Sequence, residues 1–128
     1  MSEKIHVDWK KMRELAPFPR EAFQFVRDGL AHTVERIHGE AQTGDSTDES
    51  KHVSGQQLCL GLRDFALLRF GRLAHPVLTH WGLRSTDDFG RIVFAMIEAG
   101  LMRKTDEDSL DDFRAVYDFD EAFAVVEA

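Results

Sequence analysis

The sequence has little cysteine and no long hydrophobic run, and each shortage excludes a class of protein. Its one cysteine, Cys59, cannot form an internal disulfide, and there is no CxxC pair, which favours a reducing compartment. No apolar run approaches the roughly 18 residues that a membrane-spanning helix needs. Residues 1–15 alternate charged with apolar side chains, so we expect no secretory signal. These features predict a cytoplasmic protein with no membrane partner.

The motifs of common enzymes are also missing. There is no P-loop, no GxGxxG segment and no GxSxG elbow. Cys59 lies among leucines, which predicts a buried and inert thiol. Asp118 and Asp120 flank Phe119 and would share one side of a strand, but the sequence indicates no cleft around them. We predict no catalytic residue and no cofactor, and we keep an enzyme of unknown class as the second alternative.

Metal-ligand spacing is not found among the six histidines. His75 and His80 are five positions apart, which places them roughly 140° out of phase on a helix, and His32 and His38 are also poorly aligned. The acidic stretch 106–112 lacks the glycine and the distal glutamate of an EF-hand loop. We therefore predict no metal site.

Charge is distributed unevenly along the chain, whose formal net charge is −7. Residues 1–60 carry eight basic and ten acidic side chains, and residues 61–91 carry five basic and three acidic ones. Residues 92–128 carry three basic side chains against ten acidic ones. The middle of the chain is therefore weakly basic, while its C-terminal third is strongly acidic.

The 128 residues fit a single domain, 1–128, that begins with two helices. Trp9, Met12 and Leu15 would lie on one face of a short helix that ends near the two prolines of "APFP". A longer helix follows, with apolar residues at a 3.6-residue period and a stop at Gly39. Gly29 inside it indicates a close helix crossing. Residues 40–52 are polar and predict a flexible surface loop.

Three further helices are predicted in the second half. Ser54 and Gln57 have capping-box spacing before a helix that runs to Gly71. The segment "RLAHPVLTHWG" is a short helix, and Ser85 or Thr86 caps the next one, "DDFGRIVFAMIEAG". Gly100 fits the left-handed position of a Schellman motif at its end.

The last part of the chain predicts a β-hairpin. "LMRKT" and "RAVYDF" have the composition of short strands, and Asp120 would cap a final helix. The fold class is therefore mainly α, a helical domain whose C-terminal part, about residues 53–128, is winged-helix-like and carries one small β-hairpin. A set of crowded carboxylates would occupy the hairpin tip, where we expect them to have no stabilising role: Asp106, Glu107, Asp108, Asp111 and Asp112.

The charges of this winged-helix-like part favour protein binding over DNA binding. On the predicted recognition helix, the positions off the apolar stripe are Asp87, Asp88, Arg91, Ala95 and Glu98, which offer one cation and three carboxylates. We expect a non-enzymatic protein–protein interaction module that binds a protein partner or a second copy. A DNA-binding regulator that uses the basic stretch 63–91 is the first alternative. The candidate interaction surface comprises Trp81, Arg84, Arg91, Asp106, Glu107, Asp108, Asp111 and Asp112.

Four uncommon strings occur in order along the chain: "PREAFQFVRDGL", "HVSGQQLCLGLRDFALLRFG", "VLTHWGLRSTDDFGRIVFAMIEAGL" and "DDFRAVYDFDEAF". Together they resemble a family of conserved hypothetical proteins from planctomycete and verrucomicrobial bacteria. The resemblance covers roughly residues 18–123 and implies a bacterial protein with a conserved cytoplasmic fold, but it implies no site residue.

Overall fold

A computed structural model describes residues 9–39, 53–102 and 109–124. All the regular elements in these ranges are helical, so the prediction of a mainly helical fold is confirmed. Two 3₁₀ helices, Gly71–Leu73 and Leu110–Phe113, accompany the α-helices. The α-helices are α1 (Trp9–Leu15), α2 (Arg20–His38), α3 (Gly55–Phe70), α4 (Ala74–His80), α5 (Thr86–Glu98) and α6 (Phe119–Ala122). The predicted loop 40–52 lies outside the described residues.

Prolines separate α1 from α2 as the sequence predicts. Pro19 is the N-terminal cap of α2, and its φ of −72° is compatible with the start of a helix. Met12 of α1 is buried, but Leu15 is 45% exposed, so the predicted common face of α1 is wrong at that position. Leu15 is the last residue of α1, and the apolar residues that follow it, Ala16 and Phe18, are the buried ones.

Glycine allows α2 and α3 to cross closely. A Cβ added to Gly61 of α3 would lie 2.7 Å from Cγ2 and 2.8 Å from Cβ of Thr33 on α2. Gly29 of α2 faces α3 in the same way, and an added Cβ there would overlap the Leu62 side chain. The buried Thr33 hydroxyl donates a hydrogen bond of 2.7 Å to the Gly29 carbonyl. The close crossing predicted from Gly29 is therefore confirmed.

Both longer helices of the second half begin and end with the predicted motifs. Ser54 and Gln57 form a reciprocal capping box at α3. Ser85, not Thr86, caps α5, and its capping-box partner is Asp88. At the end of α5, Gly100 has φ of 81° and the Leu101 N–H donates to the Met96 carbonyl at 2.8 Å, as in a Schellman motif.

The predicted β-hairpin is not formed in the described residues. The segment proposed as its second strand, 114–119, is a turn followed by the start of α6, and Ala115 has φ of 47°, which a strand does not allow. Most of the proposed first strand lies outside the described residues. Asp118, not Asp120, caps α6, and its Oδ1 accepts from the Asp120 N–H at 2.8 Å. The two aspartates therefore act within one cap and do not line a strand.

A short 3₁₀ helix, Leu110–Phe113, takes the place of the hairpin because Phe113 packs into space left by two glycines. A Cβ added to Gly55 of α3 would lie 2.9 Å from the Phe113 ring. A Cβ added to Gly90 of α5 would lie 2.8 Å from the Phe113 Cβ. Buried Thr86 then donates to the Phe113 carbonyl at 2.7 Å. Thr86 also accepts from the Val116 N–H at 3.1 Å, which fixes the turn after the 3₁₀ helix.

One hydrophobic cluster extends from Met12 to Phe123 and joins these elements. The Phe25 ring of α2 lies near its centre, within 5.5–6.4 Å (between ring centroids) of Phe65, Phe70, Trp81 and Phe89. Among the described residues, every buried polar side-chain atom has a hydrogen-bond partner. None of the described helices combines the length and the apolar character required to cross a membrane.

Candidate interaction surface

The predicted anchor Trp81 packs into the protein. It follows α4 as the C-terminal cap and is half-buried. Its ring centroid is 5.8 Å from that of Phe25 and 5.9 Å from that of Phe70, in an edge-on contact with the latter. These contacts join α4 to α2 and α3, which makes Trp81 a core residue with one accessible edge.

The two predicted arginines both contact Asp88 at the start of α5, Arg84 through its backbone and Arg91 through its side chain. The Arg84 backbone N–H donates to Asp88 Oδ2 at 2.8 Å, and Arg91 Nη1 lies 3.4 Å from Asp88 Oδ1. The Arg91 guanidinium also lies over the Phe18 ring, 5.5 Å from its centroid. Of the positions predicted to be exposed on this helix, Ala95 is buried, because the apolar face of α5 is wider than one stripe. The Asp88 carboxylate thus joins the Arg84 backbone to the Arg91 guanidinium.

The described part of the predicted acidic surface belongs to the second 3₁₀ helix. Asp112 Oδ2 accepts from the Ser109 N–H at 3.3 Å, and the Ser109 hydroxyl accepts from the Asp111 N–H at 3.0 Å. Asp112 lies against Gly55, at the positively polarised N-terminus of α3. Its carboxylate therefore caps the second 3₁₀ helix, a local contact that the sequence analysis did not assign to it. Asp106, Glu107 and Asp108 lie outside the described residues.

Exposed leucines at the C-terminal end of α3 were not predicted as a surface. Leu68 is 72% exposed and Leu73 is 62% exposed, more than any other large hydrophobic side chain described. Leu67 is also exposed at this point. We call Leu67, Leu68 and Leu73 the leucine end. All three lie within seven residues of the chain, and exposed apolar side chains that form a continuous patch are typical of sites that bind another protein.

The sequence around the leucine end carries basic side chains and no acidic ones. Residues 65–86 contain no aspartate or glutamate and include three arginines, Arg69, Arg72 and Arg84. Arg69 and Arg72 are exposed, and the Arg69 guanidinium lies 5.4 Å from the Phe65 ring centroid and 3.6 Å from Asp28. This run without acidic residues is the sequence signal that could have revealed the surface. The charge balance of the wider stretch 61–91 does not show this run, because that stretch also includes Asp64, Asp87 and Asp88.

Another exposed leucine, Leu110, is followed in the chain by two aspartates. Leu110, which begins the second 3₁₀ helix, is 52% exposed and precedes Asp111, whose side chain is 81% exposed, and the half-buried Asp112. We call Leu110, Asp111 and Asp112 the acidic end. It contacts Gly55 at the N-terminus of α3, whereas the leucine end lies thirteen residues further along at Leu68. At a rise of about 1.5 Å per residue, the two ends are about 20 Å apart.

The described residues offer little reactive chemistry. Burial and the nearby Asp87 charge raise the pKa of the Cys59 thiol from 9.0 to about 12, which keeps it protonated. Burial likewise raises the pKa of Tyr117, whose hydroxyl donates to the Cys59 carbonyl at 2.7 Å. His75 Nδ1 lies 4.0 Å from Asp120, and its ring contacts Phe119 and Phe123. Within the ranges 9–39, 53–102 and 109–124, no three histidine, cysteine, aspartate or glutamate residues are grouped to hold a metal ion.

Comparisons of the chain with protein-family models, with curated proteins and with solved structures gave no match. The resemblance to the planctomycete and verrucomicrobial family therefore stays a prediction.

Proposed function

We propose that this protein is a non-enzymatic, cytoplasmic protein–protein interaction module that binds its partner through the leucine end. The exposure of Leu68 and Leu73 is the observation that carries the proposal. Fully burying a leucine side chain contributes about 1.5–3 kcal/mol. The folded chain leaves most of this stabilisation unrealised at both positions, so it is available when a partner covers them.

The surroundings of the leucine end support the same role. Arginine is enriched at protein interfaces because its planar side chain covers apolar surface and still reaches carboxylates. Arg69 already lies over an aromatic ring while its guanidinium stays half-exposed. The leucine end therefore combines an apolar centre with a basic rim and fits a partner that offers apolar side chains among carboxylates.

DNA binding by the same stretch has weaker support. A DNA-binding surface needs cations directed at phosphates. Within the described residues, Arg63 and Arg36 share Asp64. Arg91 pairs with Asp88. The helices α3, α4 and α5 belong to the part predicted to be winged-helix-like, whose hairpin is not formed in the described residues, and in this proposal that part serves protein contact.

Site-specific photo-crosslinking tests the proposal. A benzoyl-phenylalanine placed at position 68 or 73 should crosslink to a protein when the full chain is illuminated in its native cell extract. The same group at position 24, where Gln24 is exposed on α2, is the matched control. Absence of any protein adduct above this control would overturn the proposal. A gel-shift on duplex DNA at low salt checks the alternative, since binding there that weakens steeply with salt would favour DNA.

A further inference from the structure

We infer that the partner of the leucine end is the acidic end of a second copy of this chain, so that copies associate head to tail. The inference rests on the proposed function and names its partner. A suitable partner offers an exposed apolar side chain flanked by carboxylates, and Leu110 with Asp111 and Asp112 has this composition.

The geometry of α3 prevents one copy from making this contact within itself. Phe113 and Asp112 are fixed against Gly55 at the N-terminus of α3, while Leu67 and Leu68 are on its last turns. The helix between them is rigid and holds the two ends about 20 Å apart. The contact therefore has to form between copies.

Charge complementarity supports this pairing over one in which like ends meet. If two leucine ends met, they would bring the Arg69 and Arg72 side chains of both copies together, and two acidic ends would oppose their carboxylates. A leucine end against an acidic end pairs apolar with apolar at the centre and arginine with aspartate at the rim. Like charges placed opposite one another at an interface suppress the alternative arrangements.

A head-to-tail contact uses two different surfaces on each copy, so it has a direction. Such heterologous contacts close into a ring when the rotation between copies allows it and otherwise extend into a chain. A subunit with only one functional end can still bind one other copy, but no further copy can then be added at its altered end.

Two exposed-surface variants of the full chain separate the two ends. The first, Leu68→Ser with Leu73→Ser, removes the leucine end and keeps the acidic end; the second, Leu110→Ser, does the reverse. Sedimentation velocity over a wide range of concentrations should show oligomers larger than a dimer for the unmodified chain. Each variant alone should bind other copies of itself at least about tenfold more weakly. This is the smallest effect expected from losing one buried leucine at the interface.

An equimolar mixture of the two variants gives the decisive result, because it should recover a dimer and nothing larger. Leu15→Ser, on the exposed side of α1, is the control and should associate like the unmodified chain. Circular dichroism checks that each variant is folded.

Three outcomes would overturn the inference: a monomeric unmodified chain, an unaffected Leu110→Ser variant, or a mixture that stays monomeric. If the unmodified chain is monomeric while position 68 crosslinks to a protein of another mass, the proposed function stands and only self-association fails. If position 68 gives no adduct, both fail.

Discussion

Gly61 and Thr33 face each other where α3 crosses α2, and the size of each limits the other. We predict that Gly61→Ala lowers the free energy of unfolding by about 1–3 kcal/mol, because the new methyl overlaps Thr33 and outweighs the better helix propensity of alanine. Gly29→Ala should cost less, since its methyl meets the movable end of the Leu62 side chain. Urea denaturation measures both changes.

Thr33→Ala provides the internal check on that overlap. The double variant Gly61→Ala with Thr33→Ala should be less destabilised than the sum of the single variants, because the atoms that clash have been removed. Gln56→Ala, at an exposed position of α3, should change stability by no more than about 0.5 kcal/mol. Additive losses from Gly61→Ala and Thr33→Ala would contradict the crossing geometry.

We predict that the burial of Cys59 makes the free energy of unfolding fall at alkaline pH. In the unfolded chain the thiol ionises near its ordinary pKa of 9.0, whereas burial holds the folded pKa at about 12. Its contribution is therefore fully present below pH 9 and is lost as the pH rises toward 12, at about 1.4 kcal/mol per pH unit for one such group. Urea midpoints measured from about pH 8 to pH 11 should fall along this window.

Two variants assign the alkaline loss to its groups. Cys59→Ala should reduce the slope of stability against pH above pH 9, although it also lowers stability at every pH by leaving a cavity. Tyr117→Phe should reduce the slope only at higher pH, because the ordinary pKa of tyrosine is 10.0 and burial raises it further in the fold. An unchanged slope in Cys59→Ala would show that the thiol does not titrate on unfolding.

At the scale of elements, the two aspartates of the second 3₁₀ helix have different environments. We predict that Asp112→Asn lowers the free energy of unfolding by about 0.5–1 kcal/mol, because it weakens the cap on Ser109 and removes a negative charge from the N-terminus of α3. Asp111→Asn is the matched control, because its largely exposed carboxylate makes only a 3.9 Å ion pair with Arg114. Thermal unfolding of both variants decides the point. Equal melting temperatures of the two variants would show that neither carboxylate stabilises the fold.

The helices were predictable because their signals are local. The Ser54–Gln57 box, the prolines before α2 and the Gly100 motif each need only a few neighbouring residues, and all three form as expected. The segment after Leu101 was not predictable in this way. "RAVYDF" has the composition of a strand, but its conformation depends on Phe113 packing against Gly55 and Gly90, which are distant in sequence.

The candidate surface was predicted only in part, for the same reason. The Arg84 backbone and the Arg91 side chain both contact Asp88 through local spacing at the start of α5, and Asp111 is exposed while Asp112 is half-buried. Leu67 and Leu68 have the composition of a core helix, and only the packing of α2 on the other side of α3 leaves them exposed. Sequence periodicity cannot reveal this, because helix α3 is apolar on more than one face.

For the whole molecule, the shared core predicts that the chain stays together when it is cut between α2 and α3. Phe25 comes from the N-terminal side of that cut, and the rings around it, Phe65, Phe70, Trp81 and Phe89, all come from the C-terminal side. A specific protease site placed within residues 40–52 should therefore yield two fragments that co-elute on size exclusion, since separating them would expose this aromatic cluster to water.

Phe25→Ala should weaken that association far more than any surface change. Losing a buried phenylalanine typically costs about 3–5 kcal/mol, which corresponds to at least a hundredfold weaker binding between the fragments. Gln24→Ala, one residue away on the exposed side of α2, should leave the fragments together and serves as the control. Native mass spectrometry after cleavage measures both. Fragments that separate without Phe25→Ala, each still helical by circular dichroism, would divide the chain into two independently folded units and refute the single-domain prediction.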